Sequence, residues 1–160
     1  MKYDSSTSGL SILWNILAGK YTADAELIRT LFAEIHLAYN SGRRYYHNSY
    51  HIQSLLTLSD QYATNLNDKD AVDFAIFYHD IIYDVSRSDN EERSAAIASE
   101  RLRELSVPEE KVSAIADQVI ASKTHVVDNQ ENDTDLAWFL DFDMSILGAE
   151  WERYLETRRM

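Results

Sequence analysis

Apolar residues recur at intervals of three and four along nearly the whole chain, a spacing that predicts amphipathic helices. No stretch shows the sustained alternation of apolar and polar residues that a half-buried strand needs. The chain has only one proline and four glycines, so few positions force a helix to end. The pattern therefore predicts a single all-α domain over residues 1–160, a compact bundle of about seven or eight helices.

Capping and breaking residues divide this pattern into elements. Thr22 is expected to cap the second helix, Ser106 and Glu109 to form a capping box around Pro108, and Gly148 to end the penultimate helix. The predicted helices are 10–17, 23–39, 48–66, a segment capped by Asn67-Asp68 that runs to about 83, 90–105 after Asp89, a segment from Pro108 to about 124, 136–147 and 150–159.

The pair His79-Asp80 lies inside the apolar stretch 71–82. His79 shares a helical face with Val72 and Ile76, which predicts that it points toward the core. An inward Asp80 stays ionised only beside a positive charge, because burying an unpaired charge is costly. Since imidazole and carboxylate groups both bind divalent cations, a metal ion is the simplest neutraliser of this pair.

Two other places in the chain supply metal donors. His47 and His51 are four residues apart, which stacks them on one helix face, and His51 is the better ligand candidate because it lies deeper in the helix. Asp141 and Asp143 fall inside another apolar segment, where a solvated face would not place two carboxylates. Taken singly, each histidine also fits a hydrogen-bonded core or surface residue, and each aspartate also fits a cap or a surface position.

Composition limits both the metal site and its partners. With no cysteine, the ligands have to be His, Asp, Glu or carbonyl oxygen, which suits Mn, Mg, Fe, Co, Ni or Zn without choosing among them. The net charge of −12 opposes binding to a nucleic acid polymer but not to a small phosphorylated ligand, which a metal and a few local cations can hold. Residues 1–10 lack the apolar core of a signal peptide, and no apolar run approaches the roughly 20 residues of a membrane span. We expect a cytoplasmic protein that does not bind membranes.

Four motifs combine these donors in a characteristic order. They are Tyr46-His47-Asn48-x-x-His51-Ile52, Tyr78-His79-Asp80-Ile81-Ile82-Tyr83, Asn90-Glu91-Glu92-x-Ser94-Ala95 and Leu140-Asp141-x-Asp143-x-Ser145-Ile146-Leu147-Gly148. Together they resemble the HD-domain superfamily of metal-dependent phosphohydrolases, and within it the branch of small single-domain proteins. The resemblance covers residues 43–154, about two-thirds of the chain.

This resemblance implies an HD-like helical bundle that holds a divalent metal ion. Carried onto this chain, the ligands are His51, His79, Asp80 and one of Asp141 and Asp143. Asp143 matches the pattern of related proteins better, which leaves Asp141 to orient a ligand or a water molecule.

Candidates for the remaining roles come partly from these motifs and partly from charged residues elsewhere in the chain. Glu91 is the candidate for proton transfer, with Asp84 in reserve, although Glu91 also fits an ordinary first-turn glutamate favoured by the helix dipole. The candidates for contact with the phosphorylated substrate are Arg43, Arg44, His47, Lys123 and His125. His125 resembles the additional histidine that some HD proteins use for substrate contact or a second metal, while a Lys-x-His at a helix C-terminus also simply complements the dipole.

The expected function is therefore that of a metal-dependent phosphohydrolase. Its substrate would be a phosphate ester of a small phosphorylated compound, with a nucleotide as the first candidate. Two alternatives stay open: a nucleotide- or metal-binding module without turnover, and an HD-fold di-iron oxygenase, which would need a second metal.

Overall fold

The computed structural model describes residues 5–42, 44, 47–127 and 134–158. Within these ranges the chain forms seven α-helices and no strand, which confirms the predicted all-α class. The helices are α1 (Ser5–Ala18), α2 (Ala25–Asn40), α3 (Ser49–Gln61), α4 (Lys69–Tyr78), α5 (Asn90–Glu104), α6 (Glu109–Ala121) and α7 (Thr134–Arg158), with a short 3₁₀ turn at Ala63–Asn65 after α3.

Helix α4 lies at the centre of the bundle, in contact with α3, α5, α6 and α7. Its buried aromatic residues Phe74, Phe77 and Tyr78 meet the indole of Trp14 on α1 edge-on, at centroid distances of 5.1 to 6.0 Å. The Trp14 Nε1–H donates to the carbonyl of Ile28 at 2.9 Å, so the buried indole has no unpaired donor. This packing surrounds α4 with α3, α5, α6, α7 and the indole of Trp14.

Three helix starts are fixed by short polar side chains, although one cap differs from the prediction. Asp24, rather than Thr22, caps α2 by accepting the Leu27 N–H at 3.0 Å. The Thr22 hydroxyl instead accepts the N–H of the N-cap residue Asp24, at 3.2 Å. Asp68 caps α4, as predicted.

The predicted capping box at Ser106 is wrong, because Ser106 ends α5 instead of starting α6. It adopts the left-handed φ of 65° and donates its N–H to Arg103, while the next N–H, of Val107, reaches back to Leu102. These two bonds form a Schellman C-cap. Helix α6 then begins after Pro108 without a side-chain cap.

Three predicted helix ends also need correction. The helix expected over 48–66 ends at Gln61. The helix that contains His79-Asp80 was expected to run to about 83, but α4 ends at Tyr78. The predicted break at Gly148 is absent, since α7 continues through it to Arg158. A helical glycine costs only about 1 kcal/mol relative to alanine, which is too little to end a helix that packs on the core.

The start of α7 is tied to the start of α4. The buried carboxylate of Asp135 accepts the backbone N–H groups of Asn67 and Asp68, both at 2.7 Å. These bonds satisfy donors at the beginning of α4 and set the position of α7 along it. Among the described residues, no helix combines the length and the apolar character that crossing a membrane requires.

Candidate metal centre

His51 is the third residue of α3 and lies in the first turn of that helix. Asn48 caps this helix, and its Oδ1 accepts the N–H groups of Tyr50 and His51 at 3.0 and 3.3 Å. The Asn40 amide on α2 donates to Ser49 at 2.9 Å and ties the same turn to the bundle. As a result the His51 side chain is held inside the core, with 0% of its surface exposed.

His79 and Asp80 follow α4 directly, in a turn that is held by other helices. The Asp80 N–H donates to the hydroxyl of Tyr39 on α2 at 3.1 Å, and the Ile82 N–H donates to Ser94 on α5 at 3.1 Å. These long-range partners replace the helical bonds, which is why α4 ends earlier than its apolar pattern suggests. His79 is only 1% exposed.

The His79 ring is oriented by a local hydrogen bond. Its Nδ1 lies 2.8 Å from the carbonyl of Ile76, and a carbonyl can only accept, so Nδ1 carries a proton. The lone pair of a neutral His79 is therefore on Nε2, the nitrogen that faces the cluster. This arrangement is common among histidines that bind metals.

Asp143, and not Asp141, reaches the cluster from α7. Asp143 is 3% exposed, whereas Asp141 lies on the exposed side of the helix. Two residues along a helix differ in direction by about 200°, so the two aspartates cannot face the same site. Asp143 Oδ1 is buried and makes no hydrogen bond within the described part of the chain.

His79 Nε2 lies within a few ångströms of a donor atom from each of the other three side chains. His51 Nε2 lies 3.3 Å from His79 Nε2 and 3.0 Å from Asp143 Oδ1. His79 Nε2 lies 3.1 Å from Asp80 Oδ2 and 3.7 Å from Asp143 Oδ1. An ion about 2.1 Å from each ligand separates neighbouring ligand atoms by about 3.0 Å at right angles and about 3.4 Å at tetrahedral angles. The observed spacings fit a divalent cation.

Electrostatics in the cluster favour negative carboxylates and a positive charge between them. Burial disfavours ionised Asp80, but the positive charge of His79 and the hydrogen bond to His47 outweigh it and hold the Asp80 pKa far below its usual range. Burial likewise disfavours ionised Asp143, yet its hydrogen bond with His125 and its close contacts with His51 and His79 hold its pKa far below the usual range. Burial alone would lower the pKa of His79, but the carboxylates of Asp80 and Asp143 outweigh it and raise this pKa well above 6.5.

Two further histidines extend the cluster outward, one on each carboxylate. His47 Nδ1 lies 2.6 Å from Asp80 Oδ2, and His125 Nε2 lies 2.6 Å from Asp143 Oδ2. Their side chains are 21% and 22% exposed, so they mark the side of the cluster that is nearer to solvent. The structure thus brings together His47, His51, His79 and His125, four of the five histidines of the chain. Two overlapping sets, one of His47, His51 and Asp80 and one of His51, His79 and Asp143, each have ligand atoms within 4.8 Å of one another.

The candidate phosphate-binding cations are engaged with other groups. Arg44 donates to the carbonyls of Asp80 and Ile81 at 2.8 and 3.3 Å, and its guanidinium lies 5.5 Å from the centroid of the Tyr83 ring. Lys123 donates to the Ser88 carbonyl and to Glu92, at 2.6 and 2.7 Å. Arg44 therefore supports the turn after α4, and Lys123 joins the end of α6 to the start of α5. Arg43 lies outside the described residues.

The two candidates for proton transfer have different surroundings. Asp84 is exposed, and its Oδ1 accepts from both the backbone and the side chain of Ser86. Glu91 lies half-buried in the first turn of α5, and no hydrogen bond to its carboxylate is formed within the described residues. Neither carboxylate belongs to the two donor sets of the cluster.

Sequence reasoning missed the polar residues that place the donors. Tyr39, Asn48, Ser94 and Asp135 act through backbone groups that lie far away in sequence, apart from the local cap of Asn48. The available signal was a polar group on an otherwise apolar helix face, as with the hydroxyls of Tyr39 on α2 and Ser94 on α5. Their partners could not be identified without the fold.

No protein-family model matches this chain, and the comparisons with curated proteins and with solved structures found no match.

Proposed function

We propose that this protein is a metal-dependent phosphohydrolase that cleaves a phosphate ester of a small phosphorylated compound, with a nucleotide as the first candidate. The observation that carries the proposal is the convergence of His51, His79, Asp80 and Asp143 from three separate parts of the chain, with His51, His79 and Asp143 buried. The donor atoms of His51, His79 and Asp143 lie within 4.8 Å of one another, which suits a divalent cation, and Asp143 Oδ1 has no hydrogen-bond donor among the described residues. The order of the motifs, which resembles that of HD-domain phosphohydrolases, supports the reaction class.

In this proposal the four residues hold one ion of Mn, Mg, Fe, Co, Ni or Zn. Such an ion, when bound, lowers the pKa of a coordinated water molecule and offsets negative charge on a phosphoryl oxygen. His79 is prepared for this role because its Nδ1 proton is bonded to Ile76 and its Nε2 is directed to the cluster. Asp80 and Asp143 contribute the negative charge that favours a cation over a neutral ligand.

Substrate would approach from the side of His47 and His125, the two partly exposed members of the cluster. Tyr83 packs on His47 with ring centroids 4.4 Å apart and is itself 37% exposed, so this side also offers an aromatic surface. Between the two candidates for proton transfer, Glu91 is favoured because the Asp84 oxygen is already shared between two donors of Ser86.

The test combines elemental analysis of the purified protein with a phosphate-release screen. We expect one divalent ion per chain and release of phosphate from at least one nucleotide when Mn²⁺, Mg²⁺, Co²⁺ or Ni²⁺ is supplied. His79→Ala and Asp143→Asn should abolish both metal content and hydrolysis. Asp141→Asn is the matched control, since it makes the same change two residues away on the exposed side of α7. Metal binding without any hydrolysis would leave a binding module and refute the enzyme.

A second candidate is the di-iron oxygenase of the same fold. It is favoured by one observation, the presence of His47 and His125 as two more histidines on the two carboxylates. Two iron ions per chain and oxygen consumption with an organic substrate would identify it. One ion per chain, together with hydrolysis in the absence of oxygen, would exclude it.

A further inference from the structure

Asp143 uses its two carboxylate oxygens for different partners. Oδ1 is buried and faces the Nε2 atoms of His51 and His79, at 3.0 and 3.7 Å. Oδ2 lies 2.6 Å from Nε2 of His125. His125 therefore occupies only the oxygen that the other two histidines leave free.

At the other carboxylate, that of Asp80, His47 makes a different contact. Its Nδ1 lies 2.6 Å from Asp80 Oδ2, and the same oxygen is 3.1 Å from His79 Nε2. His47 also belongs to a donor set with His51 and Asp80, whereas His125 belongs to neither of the two donor sets. The two outer histidines are thus not equivalent. The Asp143 carboxylate lies between His125 on one oxygen and His51 and His79 on the other.

The backbone at His125 is adapted to this position. His125 has a left-handed φ of 53°, which is uncommon for a residue with a side chain. Its N–H closes the turn after α6 on the Ala121 carbonyl at 3.0 Å, and Lys123 anchors the same turn to Ser88 and Glu92. A strained conformation persists only where the surroundings hold it in place, and such residues concentrate at functional sites.

We propose that His125 is a positioning residue of the metal centre, which holds Asp143 Oδ2 and so makes Asp143 a ligand through Oδ1 alone. This inference rests on the metal centre of the proposed function but not on its reaction. A carboxylate with both oxygens free can bind an ion through one or through both of them. The hydrogen bond from His125 removes the second option and keeps a coordination position open.

The test compares two substitutions of nearly equal length. His125→Gln keeps an N–H donor at the distance of Nε2, whereas His125→Leu removes the donor. The readouts are the Mn²⁺ dissociation constant, measured by chelator competition, and the absorption spectrum of bound Co²⁺, which reports the number of ligands. We expect His125→Leu to weaken Mn²⁺ binding about 10- to 100-fold and to change the Co²⁺ spectrum, and His125→Gln to recover most of both properties.

Controls separate positioning from other roles. His36→Gln, on α2 outside the cluster, should bind Mn²⁺ like the wild type. If His125 were itself a ligand, His125→Gln would lose affinity as strongly as His125→Leu, and the proposal would be overturned. It would also be overturned if His125→Leu kept wild-type affinity, or if it lowered the melting temperature of the metal-free protein enough to account for the loss. A wild type that binds Mn²⁺ in this way but hydrolyses nothing contradicts only the reaction.

Discussion

The two ring nitrogens of His79 have different partners. In the metal-free cluster, a proton on Nε2 supplies the positive charge between the carboxylates of Asp80 and Asp143. Nδ1 is bonded to the Ile76 carbonyl, while Nε2 faces two carboxylates that raise the pKa of the ring well above 6.5. A proton on Nε2 and a metal ion at Nε2 exclude each other. Protons and metal ions should therefore compete for the same position between Asp80 and Asp143.

The first prediction follows from this competition. Protonated His79 stabilises the metal-free fold fully below its unfolded pKa of about 6.5, and this contribution is lost as the pH rises through the raised folded pKa. A metal ion requires the neutral ring, so the rise in melting temperature caused by Mn²⁺ should be smaller at about pH 6 than at about pH 8.5. Thermal melts with Mn²⁺ and with chelator at both pH values measure it. An equal or larger rise at the lower pH would contradict the competition.

A second prediction concerns Arg44. Arg44→Gln should destabilise the protein by about 1–3 kcal/mol, because the partly buried carbonyls of Asp80 and Ile81 lose their charged donor. Urea unfolding of the metal-free protein measures the change in the free energy of unfolding. Arg93→Gln, an exposed position on α5, is the control and should stay within about 0.5 kcal/mol of the wild type. A loss confined to substrate affinity would instead favour the phosphate-binding role expected from the sequence.

At the level of elements, the site depends on how three segments are brought into register. His51 lies in the first turn of α3, His79-Asp80 directly follow α4, and Asp143 lies within α7. Asp135 begins this alignment by joining α7 to the start of α4, and Asp143 follows it by eight residues, about two helical turns. Helix α7, which carries Asp143, is thus held in place at its N-terminal end.

A third prediction tests this alignment. Asp135→Ala should lower the free energy of unfolding by about 2–3 kcal/mol, since two backbone donors at the start of α4 lose a charged acceptor. Because α7 would also lose its attachment, metal affinity should fall even in protein that is still folded. Urea unfolding and Mn²⁺ titration of the same sample separate the two effects. Asp141→Ala, exposed on the same helix, should alter neither of them.

The helices and the donor residues could be predicted from the sequence, because their signals are local. The ends of the helices could not, because they depend on contacts with other helices. The apolar period and the cap at Asp68 were sufficient for α4 because both act within one helical turn. The end of α4 at Tyr78 depends on Tyr39, Arg44 and Ser94, whose contacts with the following turn only the fold creates. The capping box predicted at Ser106 was wrong for a related reason. Serine suits an N-cap and, less often, a left-handed C-cap, and the local sequence does not distinguish the two.

For the whole molecule, the cluster joins parts of the chain that hydrophobic packing already holds together. The described residues form one buried core that runs from Trp14 on α1 to Phe142 on α7. The cluster lies within it, because Phe139 packs edge-on against the His79 ring at 5.7 Å. A bound ion should therefore stabilise the whole bundle and not only one loop.

The fourth prediction states the size of this effect. Metal at 100 times its dissociation constant should add about 2.7 kcal/mol to the free energy of unfolding, provided that the unfolded chain does not bind it. The gain should appear as one cooperative transition that moves to higher urea, and a chelator should reverse it. Asp143→Asn, which removes one of the four donors, should eliminate the gain. A separate transition that responds to metal while the main one does not would place the ion outside the core.

The distribution of the four donors along the chain also has a consequence for synthesis. During translation His51 emerges first and the His79-Asp80 pair follows, but Asp143 arrives only with α7, the last of the described helices. A nascent chain can therefore offer a metal ion three of the donors while it still lacks the fourth. Complete coordination becomes possible only after α7 has left the ribosome and docked on α4. In the proposed metal centre, uptake of the ion should accordingly be a late event, after the other described helices have been made.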